Sequence, residues 1–302
     1  MSFIHIQEVI PRDGFQIERN FVPTDKKINL INELSDCGLS KIEVTSFVSP
    51  KAVPNLKDAE EVVTSIKRNP DVTNVALIAN VRGAERAIAA HIDEINLVMS
   101  ASATHNKKNV NRTHEESLAG FNEIMSRVHG TGIKVNGSVA TSFGCPFEGE
   151  IAENAVQHFI DKYISMGMDS ITLADTTGMA NPVQVKRLVE KVIDQIGDVP
   201  LTLHFHNTRG MGLANVVAAI EAGATRFDSS LGGIGGCPFA PGATGNLCTE
   251  DLVHMLHEMG LETKVNLDKL IELSKGLPEL LGRNDIPGQI VKAGKVTDLH
   301  KT

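Results

Sequence analysis

The chain predicts an α/β fold, a closed (β/α)8 TIM barrel with a short C-terminal helical extension, on three observations. Short β-rich runs alternate with helical patterns along almost all of the 302 residues. The runs recur at roughly the thirty-residue spacing that a strand–helix–strand crossover needs. The polar and conformationally unusual residues gather just after these runs, where barrels of this kind carry their sites. The barrel is expected over 1–260 and the extension over 261–302, as a single catalytic domain. A doubly wound open sheet is the alternative topology.

In order, the candidate strands are 4–9, 42–45, 75–79, 94–99, 134–140, 170–174, 201–206 and 226–230. The helix expected over 24–37 opens on Thr24 as a cap and sets Ile28, Ile31 and Leu34 on one face. Thr113 precedes a helix over 115–128 whose apolar stripe includes Leu118, Phe121, Ile124, Met125 and Val128. Pro182 stands in a first helical turn, where its missing N–H costs little. The helix over 213–221 stops at Gly223. After Leu256 the rhythm changes: 267–274 and the segment through Leu281 read as extra helix, and Ile286-Pro287-Gly288 with the polar tail as loop.

Composition narrows the function. The formal charge is −8, which opposes a nucleic-acid partner. No apolar run approaches the roughly 20 residues of a membrane helix. The opening Met1-Ser2-Phe3-Ile4-His5-Ile6 reads as neither a secretory signal nor a transit peptide. Cys37, Cys145, Cys237 and Cys248 form no C-x-x-C pair, which speaks against a thiolate zinc site, and without an export signal they are expected as reduced thiols in a cytoplasm.

His204 and His206 lie two apart on a strand and therefore share a face. Either one lies in the core and its neighbour in a loop, or, with a carboxylate from the end of the first strand, they make a donor set suited to Mg²⁺, Mn²⁺ or a similar ion, with zinc the less favoured alternative. Arg12 beside Asp13 is either a surface ion pair or, in a pocket, a forked cation for an enolate or carboxylate. Glu43 sits in an apolar strand and needs a partner, for which Arg12 is placed. Cys237 follows a glycine run, as a mobile acid or base or as a buried small hydrophobe. Gly144-Cys145-Pro146-Phe147 repeats that turn and reads as structural. Lys107 and Lys108 follow the fourth strand, as a phosphate hold or a solvated turn.

These residues resemble the 3-hydroxy-3-methylglutaryl-CoA lyases, within a wider group of metal-dependent lyase and synthase barrels. The likeness runs over the whole chain. It includes Pro11-Arg12-Asp13-Gly14, the stretch from Ile42 to Lys51, Phe143-Gly144-Cys145-Pro146, His204-Phe205-His206, Gly235-Gly236-Cys237-Pro238-Phe239 and the stretch from Gly245 to Asp251. The resemblance implies that Asp13, His204, His206 and Asn246 ligate a divalent cation. It implies that Arg12 faces a thioester, that Glu43 and Asp175 are needed, and that Cys237 is the thiol of a mobile loop. It implies an acyl-CoA substrate cleaved to acetyl-CoA and acetoacetate, and a homo-oligomer. By position, Ser46, Asn106 and Lys108 are the expected coenzyme A contacts.

The sequence departs from the family pattern at Phe15 and Ile17, at Asn207 and at Ile234. Phe15 and Ile17 are expected to shape the acyl pocket, which leaves a related 3-hydroxyacyl-CoA such as citramalyl-CoA as a second substrate reading. A condensing synthase would need further C-terminal domains, for which about 45 residues beyond the eighth unit leave no room. A barrel that binds acyl-CoA without catalysis is the remaining alternative. The chemistry expected is a retro-Claisen cleavage. His204 or Asp13 would accept the hydroxyl proton, Arg12 would stabilise the enolate and Cys237 would return a proton.

Overall fold

The computed structural model of the protein describes residues 3–236 and 245–298. Eight parallel strands close in sequence order: β1 His5–Glu8, β2 Lys41–Ser46, β3 Thr73–Ile78, β4 Glu94–Ser100, β5 Lys134–Ala140, β6 Ser170–Asp175, β7 Leu201–Phe205 and β8 Arg226–Ser229. The last pairing, His5 with Arg226 through Glu8 with Ser229, shuts the barrel and excludes the open sheet. Strand limits differ from the sequence reading by a residue or two, as frayed ends do.

Helices cover the outside: α1 Thr24–Ser35, α2 Ala59–Ser65, α3 Val81–Ala89, α4 Ala103–Val110, α5 His114–Val128, α6 Glu153–Ser165, α7 Pro182–Ile196, α8 Gly212–Glu221 and α9 Thr249–Glu258. Beyond them lie α10 Leu267–Lys275, α11 Leu277–Leu281 and α12 Ile290–Ala293. The tail expected as loop therefore contains one short helix. Among these helices none is long and apolar enough to cross a membrane.

Local chemistry explains the boundaries. Thr113 and Glu116 form a reciprocal capping box at α5. Asn181 caps α7 with Pro182 at its first position. Thr24 is not a cap, because Pro23 holds that place and Thr24 is already helical. Ile31 and Leu34 are fully buried, and Ile28 only packs against the core from its edge.

The apolar core lies between strands and helices. Ile6, Ile42, Val44, Ile95, Leu97, Ile171, Leu203 and Phe227 are all buried there, facing helical residues such as Ile31, Val62, Leu188 and Leu252. The barrel interior is different. Its inward positions include the buried Gln7, Glu43, Asn136, Ser138, Thr172 and Thr202 and the half-buried Asn96, joined by hydrogen bonds. This polar filling replaces the Val, Ile and Leu layers that usually fill such barrels.

Candidate active site

β1 runs directly into one π-helical turn, Ile10–Gly14, in which the amides of Arg12, Asp13 and Gly14 all reach the Val9 carbonyl. That turn places Arg12 and Asp13 over the C-terminal mouth of the barrel. Arg12 Nε donates to Glu43 Oε2 at 2.6 Å, and its other arm pairs with Asp13. Glu43 Oε1 accepts from Asn96 Nδ2 at 3.2 Å, so a hydrogen-bonded line connects the mouth to the barrel interior. Arg12, Asp13 and Glu43 are nearly closed to solvent, which strengthens each attraction between them relative to water. The surface-pair reading of Arg12 is thereby excluded.

β7 delivers both imidazoles. The Nε2 atoms of His204 and His206 stand 3.1 Å apart, and Asp13 offers a carboxylate oxygen within 4.8 Å of both. Asn246 is brought to the same point by a bridge to His206 beyond β7, and its amide nitrogen lies 2.8 Å from Asp13 Oδ2. Gly235 passes so close to Asn246 that a Cβ there would stand 2.5 Å from the amide nitrogen, and its φ of +115° suits glycine alone. The glycine run is thus explained by close approach.

The donor set fits a divalent cation. Two imidazole nitrogens at 3.1 Å need a proton or a cation between them, and ~2.1 Å bonds at right angles would set neighbouring ligands about 3 Å apart. Asp13, Glu43 and Asp228 surround Arg12, so three carboxylates outnumber one guanidinium by two charges when both imidazoles are neutral. Among the described residues, the Oδ1 atom of Asn246 and Nδ1 of His206 are buried without a hydrogen-bond partner.

Burial alone would raise the Asp13 carboxyl, but Arg12, His204 and His206 outweigh it and hold it near about 2. Burial lowers both imidazoles. For His204 the Asp228 carboxylate prevails and the value rises above 6.5; for His206 burial and its neighbour bring it to about 3. The cluster opens into a cavity of about 480 Å³ lined by Arg12, Asp13, Ile17, Val48, Phe121 and Gly236 among others, a size usual for small-ligand sites.

Arg12, Asp13, Glu43, His204, His206 and Asn246 therefore converge. Cys237 lies outside the described residues. Asp175 ends β6 but turns away: its buried carboxylate accepts the amides of Met179 and Ala180 at 2.7 and 3.1 Å and shapes the following turn. Burial, only partly offset by those amides, lifts it to about 6. Ser46 and Asn106 are buried off the cavity wall, and Asn106 is used up binding Ser100, Arg112, Thr113 and Ser117. Lys108 is exposed, with its Nζ 5.0 Å from the Phe147 ring centroid. Phe15 packs in the core, whereas Ile17 does reach the cavity. Cys145 is buried and donates to Ser102 Oγ, in keeping with a structural turn.

With this geometry in place, comparison with known proteins is decisive. Residues 4–276 match the HMGL-like family. The chain belongs to that family. A hydroxymethylglutaryl-CoA lyase of Bacillus subtilis is 42% identical over 280 residues, 93% of this chain and 94% of that protein. The human mitochondrial hydroxymethylglutaryl-CoA lyase is 43% identical, over 93% of this chain and 86% of its own. A solved HMG-CoA lyase from Acinetobacter baumannii, in complex with coenzyme A and 3-methylmalate, is 58% identical with a TM-score of 0.97 over all of both chains.

Within this HMGL-like barrel, sequence reading missed Asp228 and Asn96. Both occupy inward positions, as the alternation Arg226-Phe227-Asp228 and Glu94-Ile95-Asn96 allows. That alternation was the available signal, but it does not separate an inward polar residue from a solvent-facing one.

Proposed function

We propose that this chain is a divalent-cation-dependent carbon–carbon lyase that cleaves a 3-hydroxy-3-methylglutaryl-CoA-type thioester to acetyl-CoA and acetoacetate. The observation that carries this is the meeting of Asp13, His204, His206 and Asn246 beside Arg12 at the wall of one cavity. Those four residues would hold Mg²⁺ or Mn²⁺. Such a cation supplies Lewis acidity toward the substrate hydroxyl, lowering its pKa.

In the cleavage, the bond between C2 and C3 of the acyl chain breaks. The C3 hydroxyl gives up its proton and becomes a ketone, and the electron pair passes to C2 as a thioester enolate. Asp13 and His204 are the two candidate bases; Asp13 has a second carboxylate oxygen while it holds the cation, whereas His204, with Nδ1 on Asp228 and Nε2 turned to the cation site, could take the proton only when off the cation. Arg12, pinned by two carboxylates, is a fixed cation for the enolate oxygen. Protonation at C2, which we assign to Cys237 on the family resemblance, releases acetyl-CoA. Val48, Phe121 and Ile17 make the cavity partly apolar, which keeps water from the enolate. The buried free thiols of Cys37, Cys145 and Cys248 suit a reducing, cytoplasmic setting. A homo-oligomer, the other expectation from the family, is read by light scattering on the eluting protein.

A second substrate reading has its own support. The 58% identical relative was solved with 3-methylmalate, a hydroxy-dicarboxylate one carbon shorter than hydroxymethylglutarate. The test is a mass-spectrometric cleavage assay on metal-free protein, with and without Mg²⁺ or Mn²⁺, over 3-hydroxy-3-methylglutaryl-CoA, citramalyl-CoA and 3-methylmalyl-CoA. Metal-dependent release of acetyl-CoA with acetoacetate is expected. Another oxo acid as the main product would move the substrate and keep the mechanism. No cleavage of any member would overturn the lyase reading and favour an acyl-CoA binder.

A further inference from the structure

Asp228 has no role in the scheme above, yet its surroundings are specific. β7 and β8 are parallel neighbours, and their register sets His204 beside Asp228. Both side chains point into the barrel. Asp228 Oδ2 lies 3.0 Å from His204 Nδ1, with both side chains largely shielded from solvent. The other buried carboxylates of the region have several partners: Glu43 has Arg12 and Asn96, and Asp175 has two backbone amides. Among the described residues, Asp228 hydrogen-bonds only to the imidazole. No Lys or Arg pairs with it there.

We infer that Asp228 is the positioning residue of His204: it holds the proton on Nδ1 and so turns the Nε2 lone pair toward Asp13 and His206. An imidazole has two tautomers, and the bond made by one nitrogen decides what the other can do. Without Asp228 the ring would be free to carry its proton on Nε2, aimed at His206, and to rotate about its side-chain torsions. The same carboxylate adds negative charge around Arg12, which favours a cation in the cluster. This inference rests on the cation site of the proposed function and not on the identity of the acyl group.

The test compares Asp228→Ala and Asp228→Asn with the wild-type chain, all checked for folding by circular dichroism. Nitrogen-15 spectra of histidine-labelled, metal-free protein report the tautomer of His204. Calorimetric titration reports the affinity for Mn²⁺. The expected result is an Nδ1-protonated ring in the wild type and a shifted tautomer balance in Asp228→Ala. Mn²⁺ affinity should fall about 10- to 100-fold in the alanine variant, the usual loss when the partner of a ligating imidazole is removed. Asp228→Asn, which retains a neutral acceptor, should lose less, and it carries the test if the alanine variant does not fold. At saturating Mn²⁺ most of kcat should return, with KM for the acyl-CoA little changed.

Mn²⁺ affinity equal to wild type in a folded variant would overturn the inference. So would a kcat that stays low with the cation fully bound, because Asp228 would then act on the substrate itself. Weakened Mn²⁺ binding in variants of a chain that cleaves no acyl-CoA would uphold this role of Asp228 and defeat the lyase reading instead.

Discussion

Arg12 is held between Asp13 and Glu43, and this fixes what its replacement should do. Arg12→Gln removes the cation proposed to face the enolate, for which a turnover loss of about 10²- to 10³-fold is typical. It also removes a positive charge from beside the proposed cation ligands. Affinity for Mn²⁺ should therefore hold or tighten while kcat falls. Parallel losses in calorimetry and turnover would sink the assignment of Arg12 to the enolate. Five of the six converging residues were legible in sequence because their types are improbable where they stand, such as a carboxylate inside Ile42-Glu43-Val44 or two histidines on one face of a strand, and Asn246 came only from the family resemblance. Ser46, Asn106 and Lys108 were not, because the direction of a polar side chain after a strand depends on the turn that follows it. The capped turn at Ser102 buries Asn106 against α5 and leaves Lys108 outside.

At the scale of elements, one buried carboxylate ties together the segments that carry the site. Glu8 Oε1 accepts the amides of Ile10 and Leu231, both at 2.9 Å, and Oε2 accepts the hydroxyl of Thr249 at 2.7 Å. The first leads to Arg12 and Asp13, the second to the glycine run, the third follows Asn246. No cation pairs with Glu8 among the described residues, and burial, despite those three bonds, lifts its pKa from 4.5 to about 8. The folded state thus binds this proton more tightly than the unfolded chain does. The stabilisation is complete below pH 4.5 and is lost as pH rises through about 8. Glu8→Gln keeps the size and the acceptor for both amides but does not titrate. Urea unfolding from pH 4.5 to 8.5 should show the wild type losing stability relative to Glu8→Gln, with the variant the more stable at the alkaline end. A constant difference across that range would refute a displaced Glu8. The strand–helix rhythm that arranges these segments was readable because each helix carries an apolar stripe of several turns. α12, at four residues, is too short to show any period, and so it was read as loop.

The whole barrel is organised in two layers of opposite chemistry, an apolar shell between strands and helices and a polar column inside the strands. The column accounts for how a mouth crowded with charge is supported from below: Arg12 rests on Glu43, Glu43 on Asn96, and Asn96 on Ser138 and Asn136. Asn136 is its hub. Its Nδ2 lies within 3.1 Å of Asn96, Ser138 and Thr172, and its Oδ1 accepts from Ser170 and Thr172. In a site closed to water these groups have no other partner of equal quality, so a gap in the column strands several at once. Asn136→Ala should therefore cost about 3 kcal/mol, given roughly 1–3 kcal/mol for each buried polar group left unpaired. Asn122→Ala, on the exposed face of α5, should stay within about 0.5 kcal/mol. Urea unfolding of both variants at one pH measures the contrast. Equal stability of the two would mean that the polar column merely fills the barrel. A loss confined to Asn136→Ala, with turnover reduced alongside it, would mean that the interior holds Glu43, and through it Arg12, in place.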